Sequence, residues 1–290
     1  MACGHCAVSL GPIGAANRVT IVAMEWLVVT AAAALAGFVD AIVGGGGLVL
    51  VPALLTTFPG THPATLFGTN KVASVWGTAA ATWRYAQRVD LPWRALWPAA
   101  AVAFVSSMAG AWTVTVVSPA FLRQVLPLVL LAVLVYTLAR KDLGQHHAPR
   151  FQGVRQAVAA STLGLVIGFY DGFFGPGTGS FFVFLLVRWL GFDFLHASAS
   201  AKLLNTASNL AALLLFAWKG HVWWHYALAM AVANVLGSLL GTHMALRQGA
   251  GFVRWVFVLV VGALICKTGW DAYGSLLSAG VSTTSSTRLG

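Results

Sequence analysis

The chain has 290 residues, 59% of them hydrophobic and only 8% charged, where an ordinary soluble domain carries about 25% charged. Seven acidic residues cannot coat a water-facing surface, and uncharged apolar runs long enough to cross a bilayer of about 30 Å recur along the chain. These figures exclude a soluble globule and disfavour a β-barrel, whose lumen-facing positions would alternate polar with apolar. The net charge of +10 does not argue for nucleic acid, because the basic residues sit in short segments between apolar runs, where topology and anionic lipid account for them.

Residues 1–20 read as a disordered tail with no secretory-signal pattern. Cys3 and Cys6 flank His5 in a CGHC stretch, but no second ligand pair follows to complete a zinc site. Residues 21–43 are apolar and end at the run Gly44 to Gly47; residues 48–58 are apolar again but too short to span alone. Further apolar segments follow at 64–87, 95–117 and 121–139, and 141–156 reads as a cytoplasmic basic loop. The pattern then restarts with 157–174, a Gly175-Pro176-Gly177 break, a short run 178–190, and segments at 196–218, 223–246 and 252–274. The tail from 277 to 290 is rich in Ser, Thr and Gly.

Sliding the chain along itself until Asp40 falls on Asp171 (offset 131) also places Gly37-Phe38 on Gly168-Phe169, Gly44 on Gly175, Lys71 on Lys202 and Trp93 on Trp224. Coincidences of Leu, Val or Ala are cheap in this composition; coincidences of Asp, Lys and Trp at one offset are not. The expected fold is an all-α polytopic membrane protein with about eight spanning helices plus short broken segments. It divides into a first transmembrane repeat at 21–140 and a second at 157–276, each with a glycine-broken first helix. Paired repeats of this kind are a transporter signature. Counting arginines and lysines leaves parallel and inverted arrangements tied; the matched breaks favour inversion.

Four groups of polar residues lie within apolar runs. Asp40 and Asp171 each precede a glycine break. An ionised carboxylate at membrane depth costs about 2.5 to 3.5 kcal/mol on insertion scales, so each is read as proton-coupling or as structural, receiving N–H groups freed by the broken helix. Lys71 and Lys202 are candidate substrate ligands; the alternatives are ion pairs with Asp40 or Asp171, and snorkelling to the interface. Asn70, Ser74, Asn205 and Asn209 lie close to them in sequence. Gly45, Gly46, Gly177 and Thr178 would let the backbone unwind and offer bare amides to an anion, although neither glycine stretch is a phosphate-binding loop. His243, Asn234 and Thr113 are weaker candidates. No metalloprotease motif, nucleophile elbow or dense metal-ligand cluster is present, so no enzyme, metal or cofactor is expected.

At these residues the sequence resembles the TSUP family, the sulfite exporter TauE/SafE type. The resemblance rests on Gly37-Phe38-Val39-Asp40 with the glycine run, on Gly68-Thr69-Asn70-Lys71, and on the stretch Gly168-Phe169-Tyr170-Asp171-Gly172-Phe173-Phe174-Gly175-Pro176-Gly177-Thr178-Gly179-Ser180, and covers roughly residues 25–275. It implies a multi-pass transporter of the cell membrane, the bacterial inner membrane, with two repeated halves, acting on sulfur-containing anions such as sulfite, sulfonates or sulfoacetate. Ala201 stands where Asn70 would be matched, so the two half-sites are not equivalent. The expected function is secondary transport of a small anion, with proton coupling through Asp40 or Asp171 as one reading. The alternative is an anion channel on the same scaffold. The expected partners are a small anion and the lipid bilayer, with no nucleic acid; homo-oligomerisation is left open.

Overall fold

The computed structural model describes residues 12–118 and 148–249, together with positions 121, 252 and 255. Among the described residues every regular element is helical. In chain order these are α1 (Pro12–Val43), α2 (Gly46–Thr57), α3 (Pro63–Ala86), α4 (Trp93–Val116), α5 (Gly153–Phe173), α6 (Thr178–Leu185, continued by a π-helical turn at Leu186–Leu190), α7 (Phe194–Trp218) and α8 (Trp224–Gly249). Two boundaries differ from expectation. The helix of α1 begins at Pro12, so residues 12–20 are helical where a tail was expected. Proline suits the first helical turn and no further proline follows it before the apolar run, so the helix extends outward from that run. Likewise α5 begins at Gly153, inside the expected loop. The CGHC stretch and the segments 122–147 and 256–290 lie outside the described residues.

Among the described residues, three helices are long and apolar enough to cross a membrane: Thr20–Val43 within α1, then α4 and α8. The others of similar length, α3, α5 and α7, carry the polar residues that lower their hydropathy. Local chemistry explains where α3 and α7 start. The ring of His62 caps α3 by accepting the Ala64 N–H at 3.2 Å ahead of Pro63, and Asp193 caps α7 by accepting the His196 N–H at 2.8 Å.

Both short helices double back on the helix before them. Gly44, at φ +81°, turns the chain while its amide still bonds the Asp40 carbonyl at 2.8 Å. Gly46 then lies against Ala36 and Asp40, and Leu50 and Leu54 pack with Val29 and Ala33 nearer the start of α1. The hairpin closes on an aromatic cluster: Phe58 meets Trp223 and Tyr226, each at 5.2 Å between ring centres, and Tyr226 lies 4.6 Å from Trp26. In the second hairpin Tyr170 on α5 packs on Phe181 of α6 at 5.2 Å, and its hydroxyl bonds the Pro176 carbonyl at 2.6 Å. The return leg ends at Leu190 and Gly191, whose carbonyls accept the amides of Arg150 and Ala148 just before α5.

The tips of the two hairpins touch. The Ser180 amide bonds the Gly44 carbonyl at 2.9 Å, and its hydroxyl bonds the Val43 carbonyl at 3.1 Å. Gly44 and Gly179 pack backbone to backbone, where a Cβ on either would collide with the other. Around these tips several contacts recur at the offset that carries Asp40 onto Asp171. Gly110 packs on Phe169 and Gly241 on Phe38; Gly168 packs on Ala103 and Gly37 on Asn234. The Ser107 hydroxyl bonds the Ser208 carbonyl at 2.7 Å, and the Ser238 hydroxyl bonds the Gly77 carbonyl at 2.6 Å.

At the aromatic end, His62 stacks on His221 at 5.4 Å, and His221 shares a hydrogen bond with Thr65 at 3.2 Å. His221, in the turn between α7 and α8, sits below the ordinary histidine range, because burial disfavours its charged form and His62 and Lys219 oppose it further. The unfolded chain therefore binds a proton more readily there, and stability is expected to decline as pH falls from about 6.5, with His221→Asn flattening that decline; unfolding temperature followed from pH 7.5 to 5 checks it. Gly179→Ala should destabilise by about 1–3 kcal/mol through overpacking against Gly44, while Gly60→Ala, whose Cβ meets nothing within 4 Å, should be silent in the same unfolding assay.

Candidate functional site

Lys71 on α3 and Lys202 on α7 are each flanked by apolar turns, and neither helix contains an acid. A buried ammonium needs a counter-charge, and here it comes from the broken helices. Lys71 Nζ lies 2.8 Å from Asp171 Oδ1 on α5, with side-chain exposures of 3% and 1%. Lys202 Nζ lies 3.1 Å from Asp40 Oδ2 on α1, with exposures of 0% and 14%. The pairing is crossed: each lysine takes the carboxylate that lies in the other half of the chain. Snorkelling is thereby overturned for both lysines.

The surroundings of the pairs differ. Lys71 Nζ also donates to Asn209 Oδ1 at 2.7 Å, and the Asn209 amide donates to Asn205 Oδ1 at 3.2 Å. Asp40 Oδ1 accepts the Gly46 N–H at 3.3 Å, so the first amide of α2 is held by the chain's own carboxylate. Asp40 thus pairs with a lysine and caps a broken helix at once. Asp171 Oδ2 and Asn70 Oδ1 are buried without a hydrogen-bond partner among the described residues.

A cavity of about 10 Å³ lies between the hairpin tips, room for about one water molecule. Of the residues expected at the site, Asp40, Asn70, Lys71, Ser74, Asp171, Asn205 and Asn209 line it, and Lys202 reaches it through Asp40. Gly45, Gly46, Gly177 and Thr178 do not line it. Gly45 caps α2 and Gly46 packs on α1. Gly177, at φ 82°, caps α6, and the Thr178 hydroxyl bonds the Gly175 carbonyl at 2.7 Å. The glycines that face the cavity are Gly44, Gly47, Gly175 and Gly179. A Cβ at Gly175 would stand 3.2 Å from Lys71 Nζ, so its absence makes room for the ammonium. The coincidence of Gly44 with Gly175 at the repeat offset is the signal in the sequence that could have singled these two out. Two weaker candidates have structural partners: the Asn234 amide donates to the Ala33 carbonyl at 2.9 Å, and Thr113 bonds back to Ala109 on its own helix.

Comparison with known proteins accords with this geometry. The sulfite exporter TauE/SafE family matches residues 29–268. The probable membrane transporter protein YfcA of Escherichia coli (strain K12) is 39% identical over 245 residues, covering 83% of this chain and 88% of that protein. The probable membrane transporter protein ORF9 of a Sinorhizobium species is 37% identical over 236 residues, covering 81% and 89%. A probable membrane transporter protein of Haemophilus influenzae is 34% identical over 236 residues, covering 81% and 91%. No solved structure matches. A multi-pass helical membrane protein with this much of its length matched belongs to the sulfite exporter TauE/SafE family of membrane transporters.

Proposed function

We propose that the chain is a secondary transporter of small anions, sulfite or a related sulfur oxyanion or sulfonate, and that anion movement is linked to a proton. The observation that carries this is the crossed pairing of Lys71 with Asp171 and Lys202 with Asp40 at the tips of two broken helices. As it stands the site is balanced, two ammonium groups against two carboxylates. An anion can take a lysine only by displacing a carboxylate, and a carboxylate left alone in a buried site is stabilised by taking up a proton. The anion and the proton would therefore enter the site together. The backbone amides at the starts of α2 and α6 and the amides of Asn205 and Asn209 would complete the cradle once the carboxylates let go.

The proposed architecture is a pair of inverted repeats. Its support is the set of contacts that recur at the repeat offset, together with the placement of ends. The first hairpin closes at the aromatic end, beside Trp223 and Tyr226, whereas the second closes beside Arg150. Arg247 shares a pocket with Arg84 and Arg88, a grouping that belongs to the inverted arrangement and not to the parallel one. By the positive-inside rule the arginine end then faces the cytoplasm. Because each ion pair ties one half to the other, rocking one half against its mate must break and remake these pairs, which suits alternating access. A cavity with room for only about one water molecule favours this over an open anion pore.

Uptake of sulfite and of a simple sulfonate into vesicles containing the purified protein tests the reading. Lys71→Ala and Lys202→Ala should each lower flux about tenfold or more while the protein remains in the membrane, and normal transport by both would refute the site. Asp171→Asn should retain some flux but lose its response to a pH gradient. Separately, Lys71→Met should destabilise by about 3–5 kcal/mol by leaving Asp171 uncompensated, and adding Asp171→Leu should recover most of that in thermal unfolding.

A further inference from the structure

A second polar cavity lies at the arginine end, apart from the paired lysines, with a volume of about 410 Å³. Its charged and polar walls are Arg84, Gln87 and Arg88 at the end of α3, and Thr242, His243 and Arg247 near the end of α8; leucines from α7 and α8 complete it. His243 and Arg247 are four residues apart and share one face of α8, while Arg88 stands in the turn just past the end of α3, which carries Arg84 in its last turn. Among the described residues no carboxylate lines the cavity, and none of the three arginines has an acidic partner. Asp193, at the start of α7, is committed to capping that helix and to the His196 ring at 2.8 Å. The C-terminal ends of α3 and α8 contribute about half a negative charge each, which three guanidinium groups outweigh.

Thr242 supplies an independent observation. It is fully buried, lines the cavity, and its hydroxyl bonds no described residue. Other buried threonines are satisfied within their helices: Thr69 bonds the Thr65 carbonyl and Thr78 the Ser74 carbonyl, each at 2.7 Å. A buried hydroxyl without a partner is costly unless something fills the space beside it. Nor does the fold itself require this cluster. The repeat offset relates Arg84, Thr242, His243 and Arg247 to Leu215, Ala111, Trp112 and Val116, and only Arg88 has a basic counterpart, Lys219.

We infer that this cavity is a binding site for a phosphate-class oxyanion, with Arg84, Arg88 and Arg247 clamping its oxygens and the Thr242 hydroxyl donating to one of them. Guanidinium forks match the oxygens of such a group, and the volume leaves room for the moiety that carries it. The oxyanion is either an anionic lipid headgroup at the membrane face or free phosphate, and the experiment separates the two. The full chain is equilibrated with phosphatidylglycerol or phosphatidylcholine and examined by native mass spectrometry; in parallel, inorganic phosphate is titrated in neutral detergent while unfolding temperature is followed. Preferential retention of phosphatidylglycerol identifies a lipid site, and stabilisation by inorganic phosphate identifies a soluble one.

In either case Arg84→Gln with Arg247→Gln should weaken binding by about tenfold or more, Thr242→Val should weaken it measurably, and Lys71→Ala should leave it unchanged. Thr242→Val removes no charge, so normal binding by that variant would reduce the arginines to a diffuse surface belt and overturn the site. Failure of both probes to bind the wild-type chain would overturn it as well.

Discussion

The structure turns on the problem of keeping an ammonium group in oil. Neither α3 nor α7 contains an acid, yet each buries a lysine in its middle. The counter-charges must come from other helices, and Asp40 and Asp171 are the acids placed within reach. Leaving either lysine alone would cost several kcal/mol, so the pairing fixes where α1 and α5 sit relative to α7 and α3. The hairpin tips are then brought together, because each carboxylate lies one helical turn before its glycine turn.

That geometry explains why glycine is concentrated where it is, residue by residue. In the run Gly44 to Gly47, Gly44 makes the left-handed turn and touches Gly179, while Gly45 caps α2. Gly46 lies against α1, and Gly47 lies against Pro176, where a Cβ would stand 3.0 Å from the proline Cα. Gly175 makes the second left-handed turn and clears space for Lys71. Close approach of backbones thus accounts for the run at least as directly as the cradling of an anion. The two roles are compatible, since thin hairpin tips are also what lets a ligand near the amides.

Much of this is legible in the sequence, because charge and run length are one-dimensional signals. The expected segment limits at 43, 58, 87 and 117, set where apolar runs meet Gly, Pro or charge, fall within one residue of the helix ends at 43, 57, 86 and 116, and the short helices follow from runs too short to span. Partnership is different. The repeat offset says that Lys71 and Lys202 are equivalent and that Asp40 and Asp171 are equivalent, but equivalence holds equally for pairing within a half and between halves. Only packing selects the crossed pairs. The same limit applies to the glycines: composition marks a stretch as able to turn, whereas which glycine faces the cavity depends on the rotation of the chain at the turn, so the sequence points to Gly45 and Gly177 where Gly44 and Gly175 stand. The helical stretch 12–20 escapes a sequence reading because a weakly apolar segment beside a strong one looks like a tail until the helix is seen to continue.

The two half-sites are related in position but not in chemistry, and the difference has a direction. Lys71 has Asp171 and Asn209 as acceptors, in surroundings almost closed to solvent. The counterpart of Asn209 beside Lys202 is Thr78, whose hydroxyl is spent on its own helix, so among the described residues Lys202 has Asp40 alone, which keeps 14% exposure and divides its oxygens between the ammonium and the Gly46 amide. Separating Lys202 from Asp40 leaves one ammonium without its acceptor and a carboxylate still held by an amide and in touch with solvent. Separating Lys71 from Asp171 strands a carboxylate whose second oxygen already lacks a partner. The first separation is therefore the cheaper. Under the alternating access proposed above, such an inequality would make one closed state easier to leave than the other and give the two-part scaffold a preferred side.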